Sequence, residues 1–227
     1  MKELEKEIGY QFQDLKLLEL ALSHKSYANE ARTKDNERLE FLGDAVLQIV
    51  ISDYLFEKYP DWNEGLLSRF RAVLVCETGL EKVANRINLG RYILIGKGEE
   101  ASGGRQKASI LANVSEAVFA AVYLDAKDKG AKAAKKVILS LFESEVEDNE
   151  ITFAYEDVKT YFQEWVQKKK LGAIEYKLVS DEGPDHMKTF VMALFIGGKE
   201  VAKGSGKNKK TAEQQAAFKA LQEMKKK

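Results

Sequence analysis

The sequence predicts a mainly α protein with an α+β second domain: a helical domain at residues 1–148, a linker at 149–155, and an α-β-β-β-α domain at 156–227. Three observations predict it. Apolar residues recur at helical spacing from residue 3 to about 146, with no strand alternation of useful length among them. Three runs rich in β-branched and aromatic residues then follow residue 173, framed by two helical stretches. The charge also changes sign: the chain holds 36 basic and 36 acidic residues, yet residues 156–227 carry +5 and the remainder −5. An acidic body with a basic tail domain fits a cation-binding module joined to a polyanion-binding one.

The helical part opens with Leu4, Ile8, Phe12, Leu15, Leu17 and Leu18. A long amphipathic helix is expected over 37–58, stopping before Tyr59-Pro60 because a residue ahead of proline avoids the helical conformation. Further helices are expected at about 64–75, 77–88, 107–125 and 128–144. Between them Gly96–Lys107, polar and with four glycines, reads as a mobile loop. The acidic run Glu143–Glu150 ends the helical part and reads as the start of a linker. Beyond it come a helix at about 156–169, strands at 174–179, 188–196 and 199–204, and a last helix at 210–224. Gly197-Gly198 supplies the hairpin turn.

Composition narrows the chemistry. One cysteine, Cys76, makes no internal disulfide, and His24 and His186 are too few and too far apart for a zinc site. A bound metal must therefore be held by oxygen. No run of about eighteen uninterrupted apolar residues occurs, and the charged start M-K-E-L-E-K-E-I lacks the apolar segment of a secretory signal. The expected compartment is the cytoplasm, with no membrane partner and no organic cofactor.

Two acidic clusters stand out. In Asn36–Val46, N-E-R-L-E-F-L-G-D-A-V, spacings of three and four put Glu37, Glu40 and Asp44 on one helix face beside a large apolar surface. Like charges so placed repel by a few tenths of a kcal/mol per pair, roughly, unless a cation lies between them. A solvated helix face is the plain alternative. The second cluster, Asn113 and Glu116, lies in an otherwise small and apolar helix, S-I-L-A-N-V-S-E-A-V-F. A buried carboxylate needs a partner, either a cation or a basic residue such as Arg71 or Arg91.

The run N-E-R-L-E-F-L-G-D-A-V-L, with Glu64-Gly65-Leu66-Leu67-Ser68, Lys107 and the Glu116 helix, resembles the signature of the ribonuclease III family; the tail resembles a double-stranded RNA-binding domain. The resemblance covers essentially the whole chain. It implies Mg²⁺-dependent cleavage of double-stranded RNA to 5′-phosphate and 3′-hydroxyl ends, with Mn²⁺ as a substitute, by a homodimer whose interface includes the Phe41–Val50 helix. Glu40, Asp44 and Glu116 match metal ligands, with Asp44 and Glu116 catalytic, and Asn113 occupies the third position of the set, between Asp44 and Glu116. Glu37 and Glu64 match accessory acids, and Lys107 could steady a phosphate or a carboxylate. The family's third acid is Asp where this chain has Asn113, an acceptor without charge. Slower cleavage, or duplex binding with little cleavage, is the expectation from that change.

In the tail, duplex RNA must be read by 2′-hydroxyl and phosphate contacts across its grooves. The resemblance assigns them to Thr160, Gln163 and Glu164 on the first helix, to Pro184, Asp185 and His186 in a loop, and to Lys207, Lys209 and Lys210 at the last helix. Each alone could be an ordinary polar surface.

Overall fold

The computed structural model describes residues 1–182 and 188–225, without the side chains of 150–157, 182, 222 and 225. The chain divides into two compact units, Met1–Glu147 and Asp148–Lys227. Unit one begins with three short helices, α1 (Lys2–Ile8), α2 (Leu15–Ala21) and α3 (Lys25–Ala31). The long helix α4 runs over Glu37–Lys58, the predicted span, followed by α5 (Glu64–Val75), α6 (Glu77–Arg86), the short α7 (Lys97–Ala101), α8 (Ala108–Asp125) and α9 (Gly130–Lys168).

Helix α8 is the core of unit one. Its alanines at 112, 117, 120 and 121 and its apolar side chains at 110, 111, 114, 118, 119 and 122 are buried on almost every side. Small residues let neighbours come close, and α2, α4 and α6 pack on it. The closest approach is at Gly43: a Cβ built there would lie 1.8 Å from the carbonyl oxygen of Glu116. Only hydrogen fits. Gly43→Ala should therefore push α4 off α8, costing about 3 kcal/mol or more, the range of severe overpacking. Thermal unfolding checks this; a melting temperature unchanged from the parent would contradict the packing described.

Two buried polar groups tie the chain ends of these helices. Asp125, at the end of α8, accepts from Tyr10 Oη and from the backbone N–H of Gln13 and Asp14, each at 2.8 Å. Those donors hold its carboxyl below its ordinary pKa despite burial; burial first, and then the bond to the Asp125 carboxylate, raise the Tyr10 hydroxyl to about 12. Asn36, buried just ahead of α4, donates from Nδ2 to Ala21 O at 2.9 Å, which sets where the acidic helix begins.

Two sequence expectations need correction. Gly96–Lys107 is not an open loop: it forms α7 and a short 3₁₀ turn at Gly104–Gln106. Arg105 pins it by donating to the carbonyls of Gly90 (3.0 Å) and Ile93 (2.6 Å) while pairing with Glu100. Nor does the helical part stop at Glu150. The residues expected as a linker, 149–155, lie inside the 39-residue helix α9. Nothing between residues 131 and 171 is glycine or proline, so no residue there breaks it.

Unit two has the predicted α-β-β-β-α order. The end of α9 is followed by β1 (Ile174–Glu182), β2 (Thr189–Ile196), β3 (Lys199–Gly206) and α10 (Lys209–Lys225). The strands form one antiparallel sheet in the order β1-β2-β3. Gly197 and Gly198, at φ 55° and 82°, make the β2–β3 turn, where both central residues need positive φ. Val158, Phe162 and Val166 of α9, Leu194 and Ile196 of β2, and Ala216, Ala217 and Ala220 of α10 form its core.

Candidate active site

The contact at Gly43 decides what faces what. Glu40 and Asp44 flank Gly43 on α4, and the backbone that Gly43 touches is that of Glu116 itself. Asn113, one turn before Glu116, hydrogen-bonds the Glu40 carboxylate. Two helices thus bring three carboxylates and one amide together.

Their charges are felt in the titration of Glu116. Burial first, then the charges of Asp44 and Glu40, push its carboxyl from the usual 4.5 up to about 7. Glu40 is raised too, by burial and then Glu37, partly offset by Lys25 and the Asn113 hydrogen bond. No basic group appears among the causes acting on Glu116, and Arg71 instead donates to Ser52 Oγ at 2.8 Å. The simple salt-bridge reading of Glu116 does not hold among the described residues.

The other predicted residues spread wider. Glu37, exposed at the first turn of α4, lies 3.6 Å from Lys25 Nζ. Asp44, exposed, accepts weakly from Gln48 Nε2 at 3.3 Å. Glu64, first residue of α5, is exposed and accepts from Ser68 Oγ at 2.8 Å, and the structure does not bring it to the cluster within this chain. A cavity of about 370 Å³ opens beside the acids, lined among others by His24, Glu37, Glu40, Glu99, Lys107 and Asn113. Lys107 is already committed there, paired with Glu99 and 3.2 Å from Ser102 Oγ. Sequence reasoning missed His24 and Glu99 as cavity residues. Neither carries a spacing signal, because α3 and α7 reach the cavity only through the tertiary fold.

In unit two, Thr160, Gln163 and Glu164 lie exposed on the last turns of α9, and Lys207, Lys209 and Lys210 lie exposed at the start of α10. Lys159, beside Thr160, pairs with Glu213 of α10 at 2.5 Å, so the two helices are adjacent there. Pro184, Asp185 and His186 lie outside the described residues.

A family model described as ribonuclease-III-like matches residues 14–145, the stretch that contains both acid-bearing helices. The chain belongs to the ribonuclease III family. A double-stranded RNA binding motif matches residues 158–224, which makes unit two a domain of that kind. Similar proteins include Ribonuclease 3 of Caldanaerobacter subterraneus subsp. tengcongensis, 48% identical over 97% of this chain and 96% of that protein. Ribonuclease 3 of Heliobacterium modesticaldum is also 48% identical, over 97% and 94%. A solved nuclease domain of Campylobacter jejuni ribonuclease III is 45% identical with a TM-score of 0.59, covering 63% of this chain and 96% of its own. That domain is described as flexible in a region involved in dimer formation.

The titration of the acid cluster gives a testable sign. A carboxyl raised in the folded chain holds its proton more tightly there than when unfolded, so the stability it contributes is full below about pH 4.5 and is lost as pH climbs through about 7. Glu40 acts in the same direction. A divalent cation, if held among the deprotonated carboxylates, would offset that loss. Mg²⁺ should therefore raise the melting temperature by about 3 °C at pH 8 and by less than about 1 °C at pH 5.5, compared with EDTA at the same pH. The Asp125 contribution, which runs the other way with pH, cancels in that comparison. Equal gains at both pH values would contradict the assignment.

Proposed function

We propose that the chain is an endoribonuclease that cuts double-stranded RNA with the help of Mg²⁺, Mn²⁺ serving in its place. The observation that carries this is Glu116: a half-buried carboxylate set against Glu40 and Asp44 with no basic partner among the described residues, in a nuclease-family domain joined to an RNA-binding one. Hard oxygen donors of this kind suit Mg²⁺, which binds through a few carboxylates and keeps room for a phosphate oxygen. Among the described residues, no three His, Cys, Asp or Glu side chains are drawn tightly enough together to close on a metal. The donor set, three carboxylates and an amide oxygen on two facing helices, fits a hard divalent cation by its chemistry.

Glu40, Asp44 and Glu116 would hold the cation, with Asn113 Oδ1 beside them. When bound, Mg²⁺ supplies Lewis acidity at the phosphate and offsets charge on the departing oxygen. The chain's residues do the rest. Glu116 gives up its proton as the site loads, Asn113 keeps Glu40 oriented, and unit two holds the duplex through 2′-hydroxyl and phosphate contacts at Thr160, Gln163, Glu164, Lys207, Lys209 and Lys210. Water adds to phosphorus as the P–O3′ bond breaks, its oxygen staying on the 5′-phosphate and a proton passing to the 3′ oxygen, which gives 5′-phosphate and 3′-hydroxyl ends. Long duplex RNA should be cut to short fragments with Mg²⁺ and left whole in EDTA, and fragments should accept a 5′ label only after phosphatase treatment. Cutting in EDTA, or ends that label directly, would overturn the reading.

Asn113 favours a second reading, a duplex RNA-binding protein with little cleavage, since one charge of the set is missing. The same assay separates the two.

A homodimer is part of the proposal. Phe41, Ile49 and Phe56 are 82%, 65% and 72% exposed and lie along one side of α4. Ile49 and Phe56 also border a groove of about 320 Å³ with Leu67 and Arg71. So much exposed apolar surface on one helix supports a subunit interface. Sedimentation at micromolar concentration should give twice the chain mass, and Phe41→Ala should shift the chain toward monomer; a parent that is monomeric throughout contradicts it. We place the protein in the cytoplasm.

A further inference from the structure

His24 belongs to the nuclease cavity in a way the acid cluster does not explain. The residue caps α3, and its Nδ1 accepts from the backbone N–H of Ser26 at 3.3 Å. Ser26 Oγ lies 2.8 Å from the same nitrogen, and that oxygen in turn accepts from the N–H of Gly96 at 2.9 Å. With that backbone N–H as donor, Nδ1 is the acceptor and takes the Ser26 hydroxyl proton as well, the tautomer whose hydrogen sits on Nε2. Three hydrogen bonds around Ser26 fix the ring's orientation.

The Nε2–H has no hydrogen-bond partner among the described residues, while the ring forms part of the wall of the cavity that also holds Glu40 and Asn113. The charged groups facing it are Glu99, Lys25, Glu37 and Lys107. Two are acids and two are bases, and each lysine is already paired with a carboxylate, Lys25 with Glu37 and Lys107 with Glu99. Phosphodiester entering a cavity lined by carboxylates is repelled by them and needs donors. A fixed, neutral, unpartnered N–H is one such donor.

We propose that His24 is a substrate-binding residue of the nuclease site, its Nε2–H donating to a phosphate oxygen or 2′-hydroxyl of the RNA strand beside Glu40 and Asn113. The inference rests on duplex RNA being the substrate of this cavity. The ring acts as a neutral donor and takes no proton from the reaction.

Two substitutions separate this from a structural role. His24→Asn keeps an acceptor near the Nδ1 position and a good cap for α3 but has nothing at Nε2; His24→Gln places an N–H near the Nε2 position. His24→Asn should lower kcat/KM for duplex cleavage about thirtyfold with the melting temperature of the parent, and His24→Gln should recover to within about threefold. Parent-like cleavage by His24→Asn overturns the proposal, and so does an equal loss in both variants. The second readout needs no cleavage. The chain has two histidines, so the imidazole ¹⁵N–¹H resonances are assigned with a single His186→Gln control. In the Glu116→Gln chain with Mg²⁺, the His24 Nε2–H signal should shift and exchange more slowly when a short RNA duplex is added. No shift, or a proton found on Nδ1, overturns the role of His24. Absence of cleavage by the parent, with the shift present, would instead count against the proposed function alone.

Discussion

Glu116→Gln should lower duplex cleavage by about a thousandfold or more, since it removes the charge at the centre of the proposed cation site while leaving a side chain of the same size. Two companion results distinguish this from damage to the fold. Duplex binding should be retained, because unit two carries its own core and its own RNA-contacting surfaces. In EDTA at pH 8 the variant should melt no lower than the parent, because the parent's Glu116 is there a carboxylate repelled by Asp44 and Glu40. Full cleavage by the variant would remove Glu116 from the chemistry. Loss of cleavage with a large fall in melting temperature would make it structural.

Asn113→Asp should do the opposite. The residue is exposed on α8 and already touches Glu40, so an aspartate there adds a fourth carboxylate without new packing demands. Half-maximal cleavage should then need about tenfold less Mg²⁺, the scale by which a change around a bound metal alters its affinity. The metal-free variant should be less stable than the parent above pH 7, since it loses the amide hydrogen bond to Glu40 and gains a repelling charge. Equal rates with equal Mg²⁺ dependence would show that the missing charge costs nothing.

Local pattern made much of this legible. The span of α4, 37–58, follows from its apolar spacing and the Tyr59-Pro60 stop, and the acid stripe follows from the same spacing. The Gly197-Gly198 turn and the three strands follow from alternation and turn chemistry. What stayed hidden depends on contacts between segments far apart in the chain. The role of Gly43 is the clearest case: a glycine inside a strong helix, between Glu40 and Asp44, is a signal of close backbone approach, yet only the fold shows that the approach is to Glu116. Asp125 reads as an ordinary helix-end acid until Tyr10 and the Gln13–Asp14 backbone close on it. Polar, glycine-rich composition pointed to mobility at Gly96–Lys107, whereas Arg105 holds that segment through two carbonyls. The exposure of Phe41, Ile49 and Phe56 is likewise hidden in the sequence, since an apolar side chain in a helix does not reveal what covers it.

The proposed chemistry turns on Glu40, Asp44 and Glu116 together holding a divalent cation at the point where the RNA strand is cut. Anomalous scattering from crystals of the Glu116-bearing chain grown with Mn²⁺ and a short RNA duplex measures this most directly. Mn²⁺ should lie between the carboxylates of all three residues, with a phosphate oxygen in its coordination shell. Mn²⁺ bound only elsewhere, or none at these three carboxylates with duplex present, would contradict it.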